Sequence, residues 1–126
     1  MNKIPLLFPA LIVLASFGAA GDDHIVDVTL PVLSAEAEAG VALFGRNCSI
    51  CHGTNGSGSE KGPPLIHRIY EPGHHADLAF VSAIRNGTRA HHWPYGDMEP
   101  VEGLSLAEIQ SIIAFVREVQ VANGIE

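Results

Sequence analysis

The chain has 126 residues, two cysteines and a formal net charge of −7, from 14 acidic residues against 7 Lys+Arg. That length holds one domain, and two cysteines are too few for the multi-bridge framework of a small secreted scaffold. The acidic balance excludes a nucleic-acid backbone or an anionic membrane surface as the main partner.

Residues 1–20 read as a secretory signal. Lys3 is a short positive start, Ile4 to Phe17 is the apolar stretch, and Gly18-Ala19-Ala20 is a small-residue cleavage site. A permanent membrane anchor is the competing reading. The apolar run is shorter than the roughly 20 residues a spanning helix prefers, and it contains Pro5 and Pro9. Cleavage after Ala20 leaves 106 residues and, with Lys3 gone, a charge of −8. The expected organisation is a signal at 1–20, an acidic extension at 21–33 and one domain at 34–126.

Within the extension, residues 25–30 are rich in β-branched side chains and predict a short extended segment ended by Pro31. Ser34 is set as an N-cap for a helix over Ala35 to Phe44, which carries Gly40 and Phe44 on one face. Residues 53–64 and 71–76 are loops rich in Gly, Ser and Pro. Leu78, Val81 and Ile84 predict a short helix from Asp77 to Arg85, stopped by Asn86-Gly87. Residues 88–103 are irregular. In the last segment, Ser105 and Glu108 form a capping box, Leu104 and Ile109 a staple, and Ile109, Ile112, Ile113 and Val116 an apolar stripe. The domain is therefore expected to be all-α.

The run Cys48-Ser49-Ile50-Cys51-His52 has the C-x-x-C-H spacing of c-type haem attachment. On a helix, residues three apart share a face, so both thiols reach one edge of a porphyrin and His52 follows as an axial ligand. A thioredoxin-like pair would need a βαβ setting, which the sequence lacks. A zinc site would need a fourth ligand. A disulfide across three residues would stabilise little.

Met98 is the sole methionine outside the leader, and it lies in the loop Tyr95-Gly96-Asp97-Met98-Glu99-Pro100. Its neighbours are loop residues rather than core residues, so its thioether suits a metal better than a core. His/Met ligation raises a haem's potential, which suits an electron carrier. His91 and His92 are the nearby rival ligands; His24, His67, His74 and His75 are more remote. The pairs His74-His75 and His91-His92 could also form a second Cu or Zn site if the fold brings them together.

In this order of elements the chain resembles the class I c-type cytochromes, in particular the small bacterial periplasmic monohaem ones. The resemblance covers residues 34–124 and rests on Gly40-x-x-x-Phe44, CSICH at 48–52, Gly62-Pro63-Pro64-Leu65, Gly96-Asp97-Met98 and Ile112-Ile113-Ala114-Phe115. It implies a small cytochrome c fold of three to five helices around one haem c, held by two thioethers, with the terminal helices crossing. Gly40 and Phe44 would meet Ile112 and Phe115 at that crossing. Cys48, Cys51, His52 and Met98 would bind the haem, with His52 and Met98 on its iron. The Pro63 carbonyl would accept a hydrogen bond from His52, and Leu65 would pack on the haem face. Trp93, Tyr95 and Arg68 are candidate partners of the propionates. The run His91-His92-Trp93 and the acidic extension depart from the family's pattern.

The implied function is a periplasmic electron carrier cycling between Fe(III) and Fe(II), a monomer and not an enzyme, free of stable membrane insertion after signal cleavage. Its partners would be redox proteins: a periplasmic dehydrogenase, a terminal oxidase or a respiratory complex. Two other readings stand beside it. One is a cytochrome subunit docked to a periplasmic dehydrogenase; the other is a haem enzyme or gas sensor with a displaceable sixth ligand. The charge is segregated: residues 43–70 carry a net +2, while 21–42 and 71–126 carry −5 each. A mildly basic rim on an acidic body predicts electrostatic steering toward a partner with a basic docking patch.

Overall fold

Ser34 begins the first helix by accepting the Ala37 amide on its hydroxyl at 3.2 Å. The computed structural model describes residues 24–126, and the expected leader at 1–20 lies outside them. Four helices follow: α1 (Ala35–Asn47), α2 (Ser49–His52), α3 (Asp77–Asn86) and α4 (Leu106–Ala122). Single 3-10 turns lie at Thr54–Gly56 and Arg68–Tyr70. No strand occurs among the described residues, and the fold is all-α.

Helix α1 runs past Phe44 to Asn47, farther than the sequence pattern indicates. Gly45 meets nothing within 4 Å, so it interrupts no packing, and the Asn47 side chain donates to the Leu43 carbonyl at 2.8 Å. Glu36 and Glu38 sit in the first turn and Arg46 in the last, which complements the helix dipole.

Helices α1 and α4 form the main packing pair. At Gly40 the backbones approach so closely that a Cβ would collide with the Ser111 carbonyl and stand 3.0 Å from the Phe115 Cβ. Phe44 meets Phe115 edge-on, with centroids 5.3 Å apart. Ala37, Ile112, Val116 and Val119 complete this cluster, joined by Leu65 and Ile66 from the loop after α2. A second cluster places Ile109 and Ile113 of α4 against Ile84 of α3. The capping box is present: Glu108 N–H donates to Ser105 Oγ at 3.3 Å, and Ser105 N–H donates to Glu108 Oε2 at 2.8 Å.

The residues at 25–30 form no strand: Ile25 lies in a bend and 26–30 take no regular structure. Instead the Asn123 side-chain amide reproduces a ladder step, accepting from Thr29 N–H at 2.9 Å and donating to the Thr29 carbonyl at 2.8 Å. Val26 N–H donates to the Ser57 carbonyl at 2.8 Å, and Val26, Val28 and Leu33 pack on the main cluster.

Two polar side chains of α4 hold the long connection between α2 and α3. Gln120 is buried and donates to the Leu65 and Tyr70 carbonyls at 2.9 and 3.1 Å. Arg117 pairs with Asp77 at 2.8 Å, donates to the Tyr70 and His75 carbonyls, and lies over the Phe80 ring at 4.7 Å. Their hydrogen bonds to this connection and to Asp77 span 40 residues of sequence or more, and helical periodicity carries no trace of them.

Candidate functional site

Cys48 closes α1 and caps α2, and its carbonyl accepts the amides of Cys51 and His52. The three chemical groups of the C-x-x-C-H run thus share one tight helical turn. Gly53 ends that turn at φ 74°, where a Cβ would strike the Gly58 carbonyl. Gly62 passes so close to Cys51 that an added Cβ would sit 2.9 Å from its carbonyl oxygen. The loop from 53 to 64 is therefore folded back against α2 rather than hanging free.

That fold-back places Pro63 beside His52. His52 Nδ1 and the Pro63 carbonyl oxygen are 2.9 Å apart, so Nδ1–H donates and Nε2 keeps its lone pair. Burial holds the His52 imidazole below its ordinary pKa, with the Pro63 hydrogen bond pulling the other way. The ring is thus neutral and oriented, the state a metal ligand requires.

Cys48 is half-buried and Cys51 exposed, and neither is in a disulfide. Burial, then the neighbouring Cys51, pushes the Cys48 thiol up to about 11. A thiol held protonated is a poor nucleophile, which disfavours a redox-active dithiol.

A cavity of about 340 Å³ opens beside this turn. Its wall includes Cys48, His52, Pro63 and Leu65 from the loop side, Phe44, Ile112 and Val116 from the crossed helices, and Met98 from the loop before α4. Met98 is half-buried and its position is fixed by the backbone: Thr88 N–H donates to the Met98 carbonyl at 2.9 Å, and Met98 N–H donates back at 2.8 Å. Val101 N–H donates to the Ile84 carbonyl at 2.7 Å and ties the far end of the loop to α3. Asp97 accepts the Ala90 amide at 2.9 Å and tightens the turn before Met98. Gly87 ends α3 at φ 71°, and a Cβ there would meet the Met98 carbonyl.

His52 and Met98, 46 residues apart, therefore line one cavity. Of the rival ligands, His75, His91 and His92 also line it, whereas His24, His67 and His74 do not. Trp93 and Tyr95 are in the wall; Trp93 Nε1 is buried and makes no hydrogen bond. Arg68 is exposed and stands outside the wall, and Arg89 takes a place in it instead. Burial pushes the Tyr70 phenol up to about 12, opposed by the adjacent Trp93 indole. His24 reaches in from the extension, with Nδ1 2.8 Å from the Tyr95 hydroxyl. No periodicity or motif marks that contact, since it joins residues 71 positions apart.

The residues present suit a haem. The apolar wall matches a porphyrin, two thiols sit one helical turn apart, and His52 and Met98 offer the donors of an axial pair. The buried Trp93 N–H, beside the Tyr70 phenol, is a donor in the wall that would suit an acceptor such as a propionate.

The family model for cytochrome c matches residues 37–120. No curated protein and no solved structure matches the chain.

Proposed function

Because the chain belongs to the cytochrome c family, it carries a covalent haem c and works in haem-based electron transfer, and we propose that it is a periplasmic carrier whose iron is ligated by His52 and Met98. The single observation that carries the ligand assignment is that His52 and Met98 line one cavity, each fixed in place by its own hydrogen bonds.

When bound, the haem supplies a one-electron Fe(III)/Fe(II) couple. The protein's part is to hold it. Cys48 and Cys51 anchor it as thioethers on one helical turn. The Pro63 carbonyl sets the tautomer and plane of His52, and the Thr88 bridge sets the place of Met98. Leu65, Phe44, Ile112 and Val116 exclude water from its faces, and exclusion of water with His/Met donors favours a raised potential.

Were His52 and Met98 both to hold the iron, no position would be open for substrate, and the protein would act as a carrier rather than an enzyme or gas sensor. The leader at 1–20 supports export to the periplasm. Among the described residues no helix is long and apolar enough to cross a membrane. The protein works as a monomer that meets its redox partners, a dehydrogenase, terminal oxidase or respiratory complex, in brief encounters.

Carbon monoxide tests the carrier reading. The ferrous protein should bind it slowly and weakly, because Met98 must first leave. Rapid, tight binding would instead identify an open-site haem protein. Co-purification with a dehydrogenase would identify a fixed subunit.

A further inference from the structure

Two loops that the haem site does not fully use bring four histidines together. The turn at 71–76 carries His74 and His75, and the loop before Met98 carries His91 and His92. His74 Nε2 and His92 Nε2 face each other at 3.3 Å. His74, His75 and His92 each offer one ring nitrogen, and these atoms all lie within 4.8 Å of one another.

We propose that His74, His75 and His92 form a second metal site, for a divalent transition cation of the Zn²⁺ or Cu²⁺ class, at the rim of the haem cavity. The spacing is the first argument. Two nitrogens bound at about 2.0–2.1 Å across a tetrahedral angle stand about 3.3 Å apart, and the His74–His92 pair has that separation. A direct hydrogen bond between the two rings is the alternative origin of the contact. It accounts for two rings but not for the third.

The second argument is ring orientation. His75 Nδ1–H donates to the Ile69 carbonyl at 2.7 Å, so its Nε2 keeps a lone pair. A backbone carbonyl on the far nitrogen is the usual support of a ligating histidine. The turn beneath is rigid: the amides of His74 and His75 both donate to the Glu71 carbonyl, at 3.0 and 2.8 Å, and Arg117 holds the His75 carbonyl.

The donor set selects the metal. Neutral imidazoles suit Zn²⁺ and Cu²⁺, not Ca²⁺ or Mg²⁺, which prefer oxygen. Three protein ligands leave a fourth position to solvent, the arrangement of an exchangeable site rather than a closed structural one. His91 Nδ1 is turned to the Arg89 carbonyl at 2.7 Å, and His91 is not one of the three converging rings. The site adjoins the haem because His75 and His92 also line the cavity that holds His52 and Met98.

The test uses the haem-loaded protein, in which the cysteines and His52 are already committed. Zn²⁺ is titrated in competition with a chromophoric chelator, and Cu²⁺ is followed by its electron paramagnetic resonance. The expected result is one equivalent of either metal per protein, Cu²⁺ the tighter, with nitrogen couplings on the Cu²⁺ signal. His74→Gln, at an exposed position outside the cavity wall, should bind at least tenfold more weakly while the haem spectrum stays unchanged, and His92→Gln should weaken binding by a similar factor. Uptake of less than half an equivalent, or variants that bind as tightly as the wild type, would overturn the site. Binding alone decides the matter, so its failure is separate from any failure of the haem reading, which the haem spectrum reports. Where both hold, Zn²⁺ should raise the haem midpoint potential, since a nearby cation favours the reduced iron, and this rise should be lost in His74→Gln.

Discussion

His52 Nδ1 and the Pro63 carbonyl oxygen stand 2.9 Å apart, and this one hydrogen bond joins the cysteine turn to the loop that lines the cavity. It decides which nitrogen of His52 is free. It also explains the two glycines around it. Gly53 reverses the chain after α2, and Gly62 lets the returning loop pass Cys51. A side chain at either position would move Pro63 away from His52.

Gly40→Val should destabilise the protein strongly. The added side chain has to enter a space already closed by the Ser111 backbone and Phe115. Overpacking of this kind typically costs about 1–3 kcal/mol, and a backbone atom cannot rotate aside. Chemical denaturation should show the loss as a lower midpoint with the slope unchanged.

Gln120→Leu should cost about 1–3 kcal/mol, because it strands buried polar groups. The Leu65 carbonyl loses its side-chain donor, the Tyr70 carbonyl is left with Arg117 alone, and Arg117 loses the Gln120 oxygen it meets at 2.7 Å. Hydrogen exchange should accelerate across 65–76 more than in α1. Equal acceleration everywhere would mean that the residue acts only through global stability.

Acid should weaken the tie between the start of α1 and α4. Glu118 accepts from the Ser34 amide at 2.9 Å and its hydroxyl at 2.6 Å, and these bonds hold its carboxyl below the ordinary value of 4.5. Its pKa is thus lower folded than unfolded. The stabilisation is present above about pH 4.5 and is lost as pH falls through the folded value. Glu118→Gln should narrow the stability gap to the wild type at pH 3 relative to pH 7, measured as melting temperature. A constant gap would show that the contact is not linked to ionisation.

Salt should slow electron transfer with the natural partner. The body is acidic while residues 43–70 carry a net +2, so approach is oriented by long-range charge. Raising ionic strength shortens the screening length and should lower the bimolecular rate. A rate independent of salt would remove steering from the account.

Much of the fold is readable in the order of residues because its signals are local. The Ser105–Glu108 box, the Ser34 cap and the C-x-x-C-H turn each lie within a few positions, and each forms as the pattern implies. The loop placement of Met98 is legible through its poor core neighbours. What escapes the sequence is long-range and polar. The Arg117 and Gln120 bonds, the His24–Tyr95 contact and the convergence of His74 with His92 depend on which loops fold onto which helix. Arg68, a candidate partner of the propionates, is exposed and outside the cavity wall, where Arg89 stands, and its position in the sequence does not show this. The last turn of α1, through Gly45 to Asn47, carries no pattern that extends the helix expected over Ala35 to Phe44.

The most direct test of the central claim is the far-red absorption of the ferric haem protein, where a Met-to-iron bond gives a weak charge-transfer band. The account predicts this band in the wild type, its loss in Met98→Ala, and its weakening in Gly87→Ala, whose Cβ would push on the Met98 carbonyl. A wild-type spectrum without the band, or a band that survives in Met98→Ala, would contradict the assignment of Met98 to the iron.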